Sequence, residues 1–347
     1  MCNIAGYAGS RQAAPILLEM LRRQEWYDGN VSTGVVTIHE GKLHYRKIVG
    51  TVDELIEKTD VLELPGTIGI AHTRPGGVDI AYQPCISLDE TSALATNGIF
   101  RRTPYIQLWN EALELLLSKG YRRFRYTADA SATPPHSLDG THVFSLEVRL
   151  ALVNMYVNEG KSFTEALALS CSHIFADNAT VVISERQPDS FYAIRTSRPL
   201  LALEENGETY LATSRYAFDE GKEDLAWYLP LLQACEITRS GVRISTDRIT
   251  TEPVEEITEE IFQKGYAYIC KMLAVPKENA LFFDDIELDL LKNIKQVFEG
   301  NFCHAEHARL VYDVLWQLQK EGRLCQELRV QQTKHYSRNR WYFWLDD

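Results

Sequence analysis

Cys2 follows Met1 directly, in the opening stretch MCNIAGYAG. Removal of Met1 would leave Cys2 with a thiol and a free α-amine on the same residue. An α-amine has a pKa near ~7.7–8.0, so a sizeable fraction is neutral at neutral pH and can accept the thiol proton. Such a residue can attack an amide as a nucleophile that carries its own base. The alternative for a lone cysteine is a small buried apolar side chain.

Two further stretches carry groups that suit acyl transfer. In GTIGIAHTR, Arg74 ends a predicted buried strand, where its guanidinium can clamp a substrate carboxylate with two parallel hydrogen bonds. In SALATNGIF, Asn97 and Gly98 end the next predicted strand, and an amide beside a glycine N–H can form an oxyanion hole. The alternatives are a surface ion pair at Arg74 and a tight turn at Asn97–Gly98.

The elements that must position these residues favour an α+β fold with mainly antiparallel sheets. Predicted strands and helices are grouped in blocks with hairpin signals, and they do not alternate regularly. We predict strands in NIAGYAG and on both sides of the turn residues Glu40–Gly41, and strand-like runs in ATVVISE, SFYAIRT and PLLALEENGETYLATS. We predict helices in AAPILLEMLRRQEW, TVDELIEKTDVL, PYIQLWNEALELLLSKGY, SLEVRLALVNMYVNEG and SFTEALALSCSHIF. Residues 126–140 are predicted to form a long surface insert or a lid.

An acidic stretch, TTEPVEEITEE, predicts a boundary between a domain of residues 1–250 and a module of residues 251–347. The module is predicted to be mainly helical and to end in the strand-like segments CQELRVQQT and RNRWYFWLD, which suggests a winged-helix-like arrangement. Its basic residues raise the possibility of nucleic-acid binding; they are Arg323, Arg329, Lys334, Arg338 and Arg340. A helical protein-docking module is favoured, because the whole chain is acidic.

Composition narrows the class of protein. The chain has 347 residues, of which 45% are apolar and 24% charged, as in a soluble globular protein with a large core. A net charge of -12 argues against general nucleic-acid or membrane binding. Its seven scattered cysteines predict reduced thiols and a cytoplasmic location. We expect no cofactor, because the usual phosphate, dinucleotide and zinc motifs are missing. Cys303, His304 and His307 lack a fourth ligand, which favours packing over metal binding.

Several stretches taken together resemble a known family. MCNIAGYAG, ILLEMLRRQEWYDGNVSTGV, GIAHTRPGG and LATNGI follow the motif order of class II glutamine amidotransferase domains, most of all the glutaminase half of glucosamine-6-phosphate synthase. These domains are amino-terminal-nucleophile (Ntn) hydrolases. The likeness continues through SRPLLALEENGETYLATSRYAF and CEIT, so it covers roughly residues 2–250. It implies a four-layer αββα sandwich, a thioester intermediate and the release of ammonia from glutamine.

The resemblance also implies roles for individual residues. Cys2 would be the nucleophile, Arg74 would bind the substrate carboxylate, and Asn97 with Gly98 would stabilise the oxyanion. Ser145, in FSLEV, stands where the family has the aspartate that binds the substrate ammonium. Asp129 or Asp139, in the preceding insert, is a candidate replacement for that aspartate.

The chain departs from the family pattern in two further places. YDGNVSTG lacks the arginine of the family's RGYDSAG, and PGGVD replaces the pocket-forming WATHG. We therefore expect a stand-alone amidohydrolase that acts on glutamine or a related amide and passes ammonia to a separate partner. The alternative is a degenerate amidotransferase fold that serves as a ligand-binding or regulatory scaffold, read out through residues 251–347.

Overall fold

The computed structural model describes residues 2–75, 83–99, 106–125, 127–128, 142–250, 253–299, 305–332 and 337–346. Its helices are α1 (Ala13–Gln24), α2 (Val52–Lys58), α3 (Ile106–Ser118), α4 (Ser145–Asn158), α5 (Phe163–His173), α6 (Glu259–Leu273), α7 (Phe283–Lys292) and α8 (His307–Lys320). The strands of the first half are β1 (Asn3–Ala8), β2 (Ser32–His39), β3 (Lys42–Val49), β4 (Ile68–Arg74), β5 (Cys85–Ile86), β6 (Ser92–Ile99), β7 (Thr127–Ala128) and β8 (His142–Val143). Those of the second half are β9 (Asp177–Ser184), β10 (Ser190–Arg195), β11 (Leu201–Glu205), β12 (Glu208–Ala212), β13 (Trp227–Tyr228), β14 (Gln233–Thr238), β15 (Gly241–Arg248), β16 (Leu281–Phe282), β17 (Leu324–Gln332) and β18 (Ser337–Leu345).

Two antiparallel sheets lie face to face between two layers of helices. One sheet has the order β13-β11-β12-β1-β4-β2-β3 and the other has the order β15-β14-β10-β9-β6-β5. An apolar cluster that contains Ile4, Val36, Val181 and Phe191 fills the space between them. Separate clusters pack α1 and α2 on the first sheet, α4 and α5 on the second, and α3 against α4. The predicted four-layer α+β sandwich is therefore confirmed.

The strand pattern in the sequence explains this layering. Along β1, Ile4 and Ala8 point into the core between the sheets, whereas Ala5 and Tyr7 pack against α1. Successive residues of a strand face opposite sides, so a strand that is apolar at every position must be covered on both faces. This is why NIAGYA is buried throughout its length.

The structure corrects some element boundaries. The run PLLALEENGETYLATS is two strands, β11 and β12, joined at Asn206 and Gly207, which both have positive φ (53° and 72°). This turn geometry favours Asn-Gly in two-residue hairpins. The helix predicted over TVDELIEKTDVL ends at Lys58 and is followed by a short 3₁₀ turn. The predicted insert at 126–140 lies outside the described residues, apart from β7.

The C-terminal residues form helices α6, α7 and α8 and a sheet of order β16-β18-β17. These elements follow the order helix–strand–helix–helix–strand–strand, and their assignment as a winged-helix-like arrangement stays a prediction. Its core also contains Tyr27 from the N-terminal part of the chain, which stacks on Tyr216 and Phe343. The C-terminal module and the sandwich therefore share apolar packing.

Two of the basic residues predicted on the wing are buried between the sandwich and the module. Arg340 donates to the carboxylates of Asp28 at 2.8 Å and Asp284 at 2.9 Å, and Arg338 donates to the carbonyl of Pro75 at 2.6 Å. Lys334 lies outside the described residues. These two arginines therefore join the module to the sandwich and do not form an open basic surface.

The third helix of the module, α8, is also covered. Its apolar side packs in the module core, while Asp313 accepts a hydrogen bond from Tyr228 of the sandwich at 2.6 Å. Near its end, Trp316 and Lys320 both contact Asp224. In winged-helix proteins that bind DNA, the corresponding helix enters the major groove. Here it faces the sandwich. Within the described part of the chain, no helix is both long and apolar enough to cross a membrane.

Candidate functional site

Cys2 and Arg74 meet at one end of the sandwich because β1 and β4 are antiparallel neighbours. Their register pairs Asn3 with Thr73 and Ile4 with His72, so Cys2 comes opposite Arg74. Alternation along both strands turns the even-numbered residues toward the space between the sheets. The predicted nucleophile and the predicted carboxylate clamp therefore face the same space.

The second sheet brings Asn97 to the same place. The backbone nitrogen of Cys2 donates to Oδ1 of Asn97 at 3.2 Å, although 95 positions separate the two residues. That nitrogen is a peptide N–H while Met1 precedes it, and it stands in for the α-amine that processing would create. Thr213 fixes the arrangement: its hydroxyl oxygen accepts from the Ile4 N–H at 2.9 Å and, over a longer 3.5 Å, from the Asn97 side-chain amide.

Gly98 has a conformation and a position that other residues cannot share. Its φ is +137°, and a Cβ placed on it would lie 2.1 Å from the carbonyl oxygen of Asp177 on the neighbouring strand β9. With no side chain, its backbone approaches the Cys2 thiol closely enough to form a hydrogen bond. The Asn97 side chain thus lies at the Cys2 nitrogen and the Gly98 backbone at its sulfur, while their role as an oxyanion hole stays a prediction.

Burial and neighbouring charges act in opposite directions on the Cys2 thiol. Burial raises its pKa, while the guanidinium groups of Arg74 and Arg198 and the hydrogen bond from Gly98 lower it. His72, two residues before Arg74 on β4, does not supply a base. Burial, and then the charge of Arg74, hold the pKa of its imidazole at about 3, and its Nε2 faces the carbonyl of Thr96 at 3.2 Å.

Ser145 is not brought into this group by a hydrogen bond. It begins helix α4 and is partly exposed, and among the described residues no hydrogen bond joins it to Cys2, Arg74 or Asn97. Asp129 and Asp139, the suggested replacements for the family's aspartate, lie outside the described residues. The structure therefore leaves the ammonium-binding role at this position as a prediction.

His307, part of the weak metal candidate, has a packing role. Its Nδ1 lies 2.9 Å from the carbonyl of Ala305 and its Nε2 donates to Glu287 at 3.2 Å. Cys303 and His304 lie outside the described residues. In the ranges that the structure covers, no three metal-ligating side chains come together.

Two residues that act on or near Cys2 were not predicted from the sequence. Thr213 lies in YLATS, where nothing in the local pattern marks it, and it reaches Asn97 only through the pairing of β12 with β1. Arg198 is buried, acts on the Cys2 thiol, and forms an ion pair with Glu287 of helix α7. From the sequence alone, an arginine in TSRPLLAL is expected at the surface. In the structure it is buried against the C-terminal module.

Comparison with curated proteins identifies relatives of one kind. Glutamine–fructose-6-phosphate aminotransferase (isomerizing) of Pyrococcus horikoshii is 31% identical over 222 residues, covering 63% of this chain and 33% of that protein. The protein of the same name from Thermococcus kodakarensis is 31% identical over 280 residues, covering 77% of this chain and 42% of that protein. The chain thus spans about one third to two fifths of the length of these relatives. No protein-family profile matches it.

Solved structures share the fold at lower sequence identity. Glutamine phosphoribosylpyrophosphate amidotransferase from B. subtilis, complexed with ADP and GMP, superposes with a TM-score of 0.58 at 18% identity, covering 79% of this chain and 58% of that one. A structure described as the allosteric regulatory enzyme of purine biosynthesis gives 0.57 at 18% identity, covering 96% of this chain and 67% of that one. At such identity the likeness establishes the fold.

Proposed function

Because the chain carries a domain of the class II glutamine amidotransferase type, with the Ntn-hydrolase fold, we propose that it hydrolyses glutamine or a related amide with Cys2 as nucleophile. The observation that carries the proposal is the 3.2 Å contact between the Cys2 nitrogen and Asn97, at a site where Arg74 lies opposite Cys2. Processing that leaves Cys2 as the first residue is part of the proposal.

In the proposed reaction, the α-amine of Cys2 takes the thiol proton, and the sulfur attacks the carboxamide carbon. The carbonyl oxygen gains negative charge, which the Gly98 N–H and the Asn97 amide stabilise. The ammonium form of the amine returns its proton to the amide nitrogen as the C–N bond breaks, so that the nitrogen leaves as ammonia. Water attacks the resulting thioester, which releases glutamate and restores the thiol. Arg74 holds the substrate carboxylate throughout.

We also propose that the ammonia passes to a separate partner protein and that the enzyme works in the cytoplasm. The winged-helix-like order of the C-terminal elements supports a docking role for residues 251–347. The burial of Arg338 and Arg340 supports a protein partner over a nucleic acid. Free cysteines throughout the described residues support a reducing compartment.

The direct test is glutamate release from glutamine by protein whose first residue is shown by mass spectrometry to be Cys2. Cys2→Ala should abolish release. Cys270→Ala, which removes another partly exposed thiol far along the chain, should leave it unchanged and is the matched control. Equal rates for the processed protein and Cys2→Ala would overturn the proposal.

A second candidate function is a ligand-binding scaffold without turnover. Two observations favour it: Ser145 stands where the resemblance calls for an acidic residue, and burial raises the pKa of the Cys2 thiol. Calorimetric titration of processed protein with glutamine separates the two functions. Binding without glutamate release supports the scaffold, whereas absence of binding to glutamine, glutamate and related amides contradicts it.

A further inference from the structure

We propose that Glu287 of the C-terminal module acts on Cys2 through Arg198, so that the module completes the active site instead of only docking beside it. Arg198 and Glu287 are positioning residues in this proposal, since neither is argued to touch the substrate. The inference rests on the role of Cys2 as nucleophile given under the proposed function. Its test does not require turnover.

A continuous set of contacts joins the oxyanion cradle to the module. Gly98 lies against the carbonyl of Asp177, and the side-chain carboxylate of Asp177 accepts a hydrogen bond from the Ser197 hydroxyl at 3.0 Å. The next residue, Arg198, donates through its guanidinium to Glu287 on α7. Asp177, Ser197, Arg198 and Glu287 are all buried.

The module holds Glu287 in place from its own side. His307, at the start of α8, donates to the same carboxylate oxygen at 3.2 Å. The charge of Arg198 lowers the pKa of Glu287 to about 2 against the effect of burial, so this carboxylate is ionised at neutral pH. The positive charge of Arg198, which belongs to the sandwich, is therefore balanced by the carboxylate of Glu287 in the C-terminal module.

The charges that act on the Cys2 sulfur are positive. Arg74 from β4, the amino terminus and Arg198 from the segment before β11 favour the thiolate, while Glu287 and Asp177 balance Arg198. Replacing Glu287 by glutamine keeps a hydrogen-bond acceptor but leaves the charge of Arg198 less balanced. Replacing Arg198 by methionine removes the positive charge and leaves the carboxylate of Glu287 near the site. The two changes should move Cys2 reactivity in opposite directions.

A second buried ion pair provides the control. Arg195 and Glu306 form an equally buried contact of 2.5 Å between the sandwich and the module, with side-chain exposures of 2% and 0%. Arg195 acts on the thiol of Cys235, and it is not one of the two arginines that lower the pKa of Cys2. Glu306→Gln and Arg195→Met therefore reproduce the loss of a buried pair without changing the charge at the nucleophile.

The experiment is alkylation of the full-length processed protein by iodoacetamide between pH 6 and 10, followed by mass spectrometry of the peptide that contains Cys2. Peptides containing Cys270 and Cys325, both partly exposed, are internal references. At pH 7 we expect Glu287→Gln to raise the Cys2 rate at least about threefold and Arg198→Met to lower it at least about threefold, through opposite displacements of the pH profile. The two control variants should keep the wild-type profile.

Disruption of the interface alone would give a different result. It would expose Cys2 and speed alkylation in all four single variants, and that outcome overturns the proposal, as does an unchanged profile for Glu287→Gln. If Arg198→Met does not fold, the double variant Arg198→Met with Glu287→Gln leaves neither charge unpaired. It should be alkylated more slowly than the wild type at pH 7, and an equal or faster rate counts against the inference.

Failure of this inference and failure of the proposed function are distinguishable. If Cys2→Ala still releases glutamate, the nucleophile has been assigned wrongly. Suppose instead that turnover depends on Cys2 but that substitutions at Arg198 and Glu287 leave its alkylation profile unchanged. The proposed hydrolase function is then retained, and only the proposed role of the module is wrong.

Discussion

A buried glutamate at the end of α1 should make stability fall as the pH rises. Glu25 is fully buried; one carboxylate oxygen accepts from the Val52 N–H at 3.2 Å, and within the described ranges the other has no hydrogen-bond partner. Burial raises the pKa of this carboxyl from 4.5 to about 8. A group with a raised pKa binds its proton more tightly in the folded chain than in the unfolded chain.

The sign and size of the effect follow from this difference. Below pH 4.5 the carboxyl is protonated in both states, and between pH 4.5 and 8 only the folded state holds the proton. The free energy of unfolding therefore falls by up to about 1.4 kcal/mol per pH unit across this window. The whole window corresponds to about 4–5 kcal/mol, which the polarisability of the protein interior reduces to about 2–4 kcal/mol.

Glu25→Gln removes the titration and keeps an oxygen for the Val52 N–H. Urea unfolding at pH 5 should show nearly equal stability for the variant and the wild type, whereas at pH 8.5 the variant should be more stable by about 2–4 kcal/mol. Glu19→Gln, on the same helix but about half exposed, is the control and should stay within about 1 kcal/mol of the wild type at both pH values. A difference between Glu25→Gln and the wild type that does not change with pH would refute the reasoning.

Three further substitutions, one of them with a matched control, test the site and the module boundary. Gly98→Ala should slow glutamate release at least about tenfold in steady-state assays, because the β9 backbone must move to admit a Cβ; an unchanged rate would contradict this. Thr213→Val should lower the free energy of unfolding by about 1–3 kcal/mol in urea titrations, and no loss would contradict its positioning role. Arg340→Met removes the guanidinium that pairs with the buried carboxylate of Asp28 and the partly exposed one of Asp284, and should cost about 3–5 kcal/mol by the same measurement, whereas Arg329→Met should cost less than about 1 kcal/mol; equal losses would contradict the difference.

Much of the sandwich could be predicted from the sequence because its signals are local. Residues within the element itself predict the strand over NIAGYA, the hairpin at Glu40–Gly41 and the helix over AAPILLEMLRRQ. At Glu40 and Gly41 both φ values are positive (49° and 72°), as a two-residue hairpin requires. Cys2, Arg74 and Asn97 lie at or near strand ends, and the structure brings them to one end of the sandwich, while their catalytic roles stay a prediction.

The remaining features depend on contacts between distant parts of the chain. Thr213 and Ile4 are 209 positions apart, and Arg198 and Glu287 are 89 apart, so no short pattern links them. The sequence predicts a single strand-like run across the hairpin at Asn206–Gly207, because apolar residues lie on both sides of the turn. Arg340 was read as a surface charge, since the carboxylate of Asp28 that compensates its burial comes from the other end of the sequence.

The central claim is that Cys2 forms a thioester with the substrate, and hydroxylamine tests it most directly. Hydroxylamine competes with water for a thioester, so processed protein incubated with glutamine should form glutamyl hydroxamate at the expense of glutamate, in proportion to the hydroxylamine added. Cys2→Ala should form none. Glutamate release that hydroxylamine cannot divert, or hydroxamate formed equally by Cys2→Ala, would contradict the account.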